Sequence, residues 1–167
     1  DLHSFPTRRS SDLDLDNLLK VQTSLLTSQP VSADSLLNGV MAYYEEHVDH
    51  EKLEDAYYYK AVSANARQDY QKSIMYYKKA EQLAELSGNL RQQYKIAEGI
   101  TYVNGACANV ELQLFYAKKT LTLSQMIGNK RWIAYSYYWL GFAFSNKNQI
   151  DSAAYYLNKV EPYIKDL

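Results

Sequence analysis

The chain has 167 residues, with 18 basic and 19 acidic side chains and a formal net charge of −1. This balance provides no overall field that would draw the chain to nucleic acid or to an acidic membrane, so we expect no direct nucleic-acid binding by this segment. The sequence contains no run of about 18 apolar residues, and we expect no membrane span in it.

The first thirteen residues fall outside every periodic pattern in the chain. The run from His3 to Leu13 resembles the translation of a common short-read sequencing adapter, in which case the natural N-terminus is expected upstream. The alternative is a basic arm for phosphate contacts, but two arginines without aromatic support are a weak basis for one. We expect residues 1–13 to be artefactual or disordered and exclude them from the fold.

Residues 14–49 are predicted to form a pair of helices. Leucines between residues 14 and 28 follow the i, i+3, i+4 rhythm of an amphipathic helix. Pro30 ends this helix, because proline disfavours helical geometry in the residue before it. Ser32 or Asp34 can cap a second helix, in which Leu37 and Val40 lie on the apolar face. This pair is interpreted as a leading, partly degenerate repeat.

Three further helix pairs are predicted at an interval of forty residues. Tyr76-Tyr77-Lys78-Lys79-Ala80 is matched by Tyr116-Ala117-Lys118-Lys119-Thr120 and then by Tyr156-Leu157-Asn158-Lys159-Val160. Gly88-Asn89 and Gly128-Asn129 end helices, since both residue types tolerate the left-handed conformation. The pattern predicts repeats at 50–89, 90–129 and 130–167, with the last four helices near 90–107, 110–127, 130–146 and 150–165. A fixed period in this range is typical of an all-α solenoid.

The residues of these repeats resemble the tetratricopeptide repeat family. The third repeat carries the family's spacing most fully, at Tyr137, Leu140, Gly141, Phe144, Ala153, Leu157 and Val160. Lys60 and Ala64 depart from the pattern in the first repeat, and Gln113 in the second should need a hydrogen-bond partner or solvent. The interval is longer than the family's usual ~34 residues, as in long-helix variants. The resemblance implies a right-handed α-solenoid of antiparallel helix pairs over about residues 30–167.

The resemblance also implies a concave channel lined by residues of the first helix in each pair. Carried over position by position, the channel residues are Tyr58, Val62, Asn65, Glu98, Tyr102, Tyr135, Tyr138, Phe142 and Asn146. Tyrosines give a large contact area at low entropic cost, and asparagines can hold the backbone of an extended peptide. The alternative is that several of these tyrosines only pack between adjacent repeats. The family's carboxylate clamp is not implied, because Tyr58 and Val62 occupy its positions in the first repeat.

Other residues that can carry chemistry have a plainer interpretation. His47 and His50 have the spacing of a metal-binding pair, but they straddle a turn and lack a third nitrogen or sulfur ligand nearby. Cys107, the single cysteine, has no associated histidine and is interpreted as a buried, inert thiol. The lysines that recur on the second helices form either a solvated face or a basic stripe for a partner. Gly99 and Gly105, inside a predicted helix, indicate either close helix packing or space for a ligand.

We predict that this segment is a non-catalytic scaffold that binds a protein or an extended peptide, within a larger bacterial protein of this repeat type. The sequence has no nucleophile elbow, phosphate loop or dinucleotide motif, so no enzymatic activity, cofactor or metal is expected. The alternative is a ligand- or peptide-sensing segment of a transcriptional or signalling regulator whose effector domain lies elsewhere. An all-α enzyme is a third option that would need a polar catalytic cluster. Exposed repeat ends can cause self-association.

Overall fold

A computed structural model of the chain describes residues 17, 20, 21, 30–47 and 49–165, with side chains from residue 36 onward in the first helix. These ranges are helical throughout, apart from short turns, and contain no strand, which confirms the all-α prediction for them. Residues 1–13 and most of the helix predicted at 14–28 lie outside the described residues. The helices are α1 (Pro30–His47), α2 (His50–Ala66), α3 (Tyr70–Ser87), α4 (Leu90–Ala106), α5 (Val110–Ile127), α6 (Lys130–Asn146), α7 (Ile150–Asn158) and the single turn α8 (Glu161–Ile164).

The helix boundaries recur every forty residues. The helices α2, α4 and α6 begin at residues 50, 90 and 130, and α3, α5 and α7 begin at residues 70, 110 and 150. The same backbone turn ends α2, α4 and α6, because Gln68, Ala108 and Asn148 all have positive φ angles, of 59°, 56° and 59°. The next amide in each turn donates to a carbonyl five residues earlier, at 2.8–2.9 Å. This Schellman motif pairs carbonyls that the helix end would leave unbonded.

In the turns that follow α3 and α5, a glycine ends one helix and an asparagine begins the next. Gly88 and Gly128 adopt left-handed φ angles of 70° and 73°. Asn89 and Asn129 do not adopt that conformation; their side chains accept hydrogen bonds from the amides of Gln92 and Trp132 at 3.2 and 3.1 Å. The predicted helix ends are therefore correct, but each asparagine serves as the N-cap of the next helix.

The continuous helix predicted at 150–165 is wrong. The helix α7 ends at Asn158, and α8 begins at Glu161. Pro162 explains the break, because its ring has no N–H to donate and clashes with the carbonyl four residues earlier in a continuous helix. The amides of Lys159 and Val160 instead donate to Tyr156 and Leu157, three residues back, both at 3.1 Å.

The chain divides into two compact units, Asp1–Leu83 and Ala84–Leu167. In the first unit α1 packs against α2. The contact between α2 and α3 includes a stacked pair of rings, Tyr57 and Tyr76, with centroids 6.3 Å apart. Ser73 Oγ donates to the Ala61 carbonyl at 2.9 Å. Both residues are fully buried, and their small side chains let the two backbones approach closely.

In the second unit the helices pack in chain order. Contacts join α4 to α5, α5 to α6, and α6 to both α7 and α8, and α4 also touches α6. Leu140 and Ala143 of α6 pack with Leu114 and Ala117 of α5 in one buried cluster. Burial of a leucine such as Leu140 stabilises the fold by roughly 1.5–3 kcal/mol. None of the helices described above is long and apolar enough to cross a membrane.

Candidate functional site

A face of exposed aromatic side chains lies on the second unit. Tyr102 belongs to α4, whereas Tyr135, Tyr138 and Phe142 belong to α6. The α6 residues have the i, i+3, i+7 spacing that places side chains on one helix face. The four residues are 48%, 51%, 46% and 41% exposed, in that order. Exposed apolar surface of this kind marks binding sites more often than isolated exposed residues do.

Part of this face forms a pocket with a volume of about 260 Å³. The residues that line this aromatic pocket are Tyr102, Gly105, Ala106, Tyr138, Trp139 and Phe142. Tyr138 and Phe142 are stacked, with centroids 6.4 Å apart and planes within 5° of parallel. Tyr102 meets Trp139 edge to face at 6.2 Å. The rings contact one another in favourable geometries and so stabilise one another's positions in the pocket wall.

Glu98 is joined to the aromatic pocket through Trp139. The Trp139 indole Nε1–H donates to Glu98 Oε1 at 3.2 Å, and Glu98 precedes Tyr102 by one helical turn. Burial raises the pKa of the Glu98 carboxyl, and the hydrogen bond from Trp139 lowers it by a smaller amount. Within the described ranges, no lysine, arginine or histidine forms an ion pair with Glu98. A half-buried carboxyl group thus lies beside the aromatic pocket, with no ion-pair partner among the described residues.

Gln113 lies fully buried beside Gly105, at the α4 side of the pocket. Its Oε1 accepts a hydrogen bond from Asn146 Nδ2 at 2.9 Å, whereas its Nε2 has no hydrogen-bond partner among the residues that the structure describes. The predicted hydrogen-bond partner of Gln113 is therefore present at Oε1 but not, among the described residues, at Nε2. A Cβ atom at Gly105 would lie 2.5 Å from Gln113 Nε2. Close packing therefore explains Gly105, although this glycine also lines the pocket.

The predicted channel residues of the first unit have different surroundings. Tyr58 is half-buried, and its ring contacts those of Tyr59 and Tyr77 at 5.3 and 6.0 Å. Val62 is also half-buried. Asn65 has a buried Oδ1 to which no described residue donates a hydrogen bond. Tyr58 of α2 therefore contacts Tyr77 of α3 within its own helix pair, which is not the contact between adjacent repeats that the alternative interpretation describes.

The structure brings together four of the predicted channel residues. Tyr102, Tyr138 and Phe142 line the aromatic pocket, and Glu98 reaches it through Trp139. Tyr135 is exposed on the same helix, and Asn146 bonds to Gln113 instead of pointing freely to solvent. Sequence reasoning missed Trp139. Its spacing four residues after Tyr135 and three before Phe142 was the available signal.

The other candidate residues have local roles. His47 ends α1, where its Nδ1 lies 2.8 Å from the Tyr43 carbonyl oxygen. In the part of the chain that the structure describes, no three His, Cys, Asp or Glu side chains are grouped to hold a metal. Cys107 is exposed and not buried as expected; it lies at the C-cap position, one residue past the end of α4. Among the repeated lysines, Lys79 and Lys159 lie over the rings of Tyr57 and Tyr155, at 5.0 and 5.1 Å.

No protein-family model matches the chain, and no curated protein matches it.

Proposed function

We propose that the chain is a non-catalytic module that binds a peptide or a protein segment, built as a right-handed solenoid of the tetratricopeptide type. The forty-residue recurrence of the helix boundaries supports this architecture. The repeated left-handed turn at Gln68, Ala108 and Asn148 also supports it. In a solenoid, each helix pair buries its apolar face against its neighbours, so a regular register is needed along the chain.

The aromatic pocket is the observation that carries the binding function. Pockets that enclose drug-sized ligands have volumes of about 300–1,000 Å³. A pocket of about 260 Å³ suits one anchoring side chain, and the exposed ring of Tyr135 offers contact to the residues next to it. Tyrosine and tryptophan are the residue types that dominate binding energy at protein interfaces. The pocket walls are apolar apart from hydroxyl tips, which suits recognition better than acid–base chemistry.

Replacement of Tyr102 and Tyr138 by alanine should abolish peptide binding while the helical content stays nearly unchanged. We expect this because both rings are about half-exposed and both line the pocket, Tyr102 from α4 and Tyr138 from α6. The ligands are obtained by selection of a random peptide display library on the wild-type protein. Affinities of the enriched peptides are then measured by fluorescence polarisation, and the double variant should show no measurable binding up to peptide concentrations at least about tenfold above the wild-type Kd.

The matched control is the double variant Phe115→Ala and Tyr155→Ala. These rings are exposed like Tyr102 and Tyr138, but they belong to α5 and α7 and do not line the aromatic pocket. This variant should bind the selected peptides as the wild type does. Equal losses in both double variants, or a loss that accompanies melting of the helices in circular dichroism, would refute the assignment of the pocket.

A further inference from the structure

The aromatic pocket has the features of a cation-binding site. Tyr102, Tyr138, Trp139 and Phe142 present four rings around one opening. The face of an aromatic ring carries partial negative charge and attracts an ammonium or guanidinium group within about 6 Å, with tryptophan the strongest of the three ring types. A neutral apolar side chain would gain from burial alone, whereas a cation also gains from any ring face that it contacts.

Glu98 adds an acidic group next to these rings. Its Oε1 accepts the Trp139 indole hydrogen bond at 3.2 Å, but it has no positively charged partner among the residues that the structure describes. A half-buried charge is costly unless a counter-charge or hydrogen bonds compensate it. Lys147, at the end of α6, is already paired with Glu111 at 3.0 Å. A ligand cation would therefore supply the missing counter-charge.

We propose that the aromatic pocket binds the lysine or arginine side chain of a basic peptide segment. The rings contact the aliphatic stem and the cationic head, and the Glu98 carboxylate supplies the counter-charge. This inference rests on the proposed function, because it names the chemistry of the peptide that the same pocket would bind. The volume of about 260 Å³ favours one side chain of a longer ligand, and the exposed Tyr135 beside it favours a flanking peptide backbone over a free small cation.

The test uses the two tryptophans of the 167-residue chain as reporters. Trp139 lines the pocket, whereas Trp132 stacks on Tyr94 with centroids 4.5 Å apart and serves as an internal control. The ¹⁵N-labelled protein is titrated with Nα-acetyl-lysine amide and Nα-acetyl-arginine amide. The neutral probes of matching shape are Nα-acetyl-norleucine amide and Nα-acetyl-citrulline amide. We expect the indole N–H signal of Trp139 to shift with both cations, with affinities about tenfold above those of the neutral probes, while Trp132 stays unchanged.

The variant Glu98→Gln separates charge from shape. Glutamine keeps an oxygen that can accept the Trp139 hydrogen bond, so the rings should keep their positions. We expect about tenfold weaker binding of the two cationic probes and no change for the neutral probes. Glu161→Gln removes the same charge from the surface of the second unit, where Glu161 pairs with Lys165 at 2.8 Å. This control should bind all four probes as the wild type does.

Each remaining outcome overturns the inference in a distinguishable way. If neutral and cationic probes bind equally and Glu98→Gln has no effect, the pocket takes apolar side chains; the cation inference then fails, but the proposed peptide-binding function stands. If the cations shift Trp132 and not Trp139, they bind outside the pocket. If no probe shifts Trp139 and no library peptide is selected, both the inference and the proposed function fail.

Discussion

Glu98 lowers the stability of the fold, because its carboxyl group is half-buried, but it supplies the counter-charge that the proposed site needs. Its carboxyl group loses water contacts in the second unit, and among the described residues a single hydrogen bond, from Trp139, offsets that loss. A neutral side chain of similar shape would satisfy the indole N–H without a charge. A perturbed carboxylate beside a pocket is a common sign of a functional position, and this is why we place the counter-charge for a ligand here.

The stability of the Glu98→Gln variant relative to the wild type should increase as pH rises. Burial raises the pKa of Glu98 above its ordinary value of 4.5, so the folded state holds this proton more tightly than the unfolded chain does. The wild type therefore loses stability as pH rises from 4.5 through the raised value. Glutamine does not ionise, so the variant should gain melting temperature relative to the wild type at pH 7 and not at pH 4.

Thermal unfolding of both proteins at the two pH values measures this effect. Glu161→Gln serves as the reference, since its carboxylate is largely exposed and paired with Lys165. A melting-temperature difference between Glu98→Gln and the wild type that is the same at pH 4 and pH 7 would contradict the raised pKa. If the variant lost stability relative to the wild type between pH 4 and pH 7, folding would lower the pKa of Glu98 and not raise it.

At the scale of the helix, the turns that recur every forty residues carry unequal strain. Gln68, Ala108 and Asn148 occupy the left-handed position of the Schellman motif without being glycine. A side chain in this conformation costs roughly 1–2 kcal/mol, and asparagine tolerates it better than alanine. Ala108 is thus the least suitable residue of the three for its backbone.

Replacement of Ala108 by glycine should stabilise the protein by about 1 kcal/mol, because it relieves this strain. Gly128→Ala should destabilise it by a similar amount: Gly128 has a φ of 73°, and nothing lies within 4 Å of an added Cβ, so backbone strain is the only cost. Gly39→Ala is the control, since Gly39 is inside α1 with equal free space and no positive φ. It should stabilise the helix by about 1 kcal/mol.

Urea unfolding monitored by circular dichroism gives the three free energies of unfolding. The expected pattern has opposite signs for the two glycine-to-alanine changes, although their surroundings are equally open. Equal signs for Gly39→Ala and Gly128→Ala would show that backbone conformation does not control these turns.

Features that depend on neighbouring residues in the chain could be predicted from the sequence, whereas features that depend on contacts between helices could not. The ends of α3 and α5 were predictable because Gly88 and Gly128 act through their own backbone conformation. The capping role of Asn89 and Asn129 was not distinguished, since asparagine suits both a helix end and a helix start. The break at Pro162 was local and predictable, but the repeat register extended a helix through it. Trp139 was missed because its role depends on Glu98 and Tyr102, which belong to another helix.

At the scale of the whole molecule, the contacts of the second unit are mostly between helices that follow each other in the chain. If the chain is the proposed solenoid, its stability is local, because each helix pair is supported by its neighbours and not by a single central core. A closed bundle would instead unfold as one unit. In the two architectures, a core mutation destabilises different parts of the chain: neighbouring helices in a solenoid, and all helices in a closed bundle.

Leu140→Ala should test this difference. Leu140 is almost fully buried against Leu114 and Ala117, and its truncation should cost about 2–5 kcal/mol. Under the proposed solenoid, hydrogen exchange should accelerate in α5, α6 and α7, while the amides of α1 and α2 keep their protection. Mass spectrometry of peptic fragments measures the exchange of each helix separately.

Leu86→Ala provides the matched control, because Leu86 is 83% exposed and its truncation should leave the exchange of every helix unchanged. If Leu140→Ala accelerates exchange equally from α1 to α7, the helices share one cooperative core, and the solenoid proposal is wrong. If the acceleration declines with distance along the chain from α6, the helices are coupled mainly to their neighbours. That gradient would also explain how the aromatic pocket, on α4 and α6, can keep its shape when a distant helix pair opens.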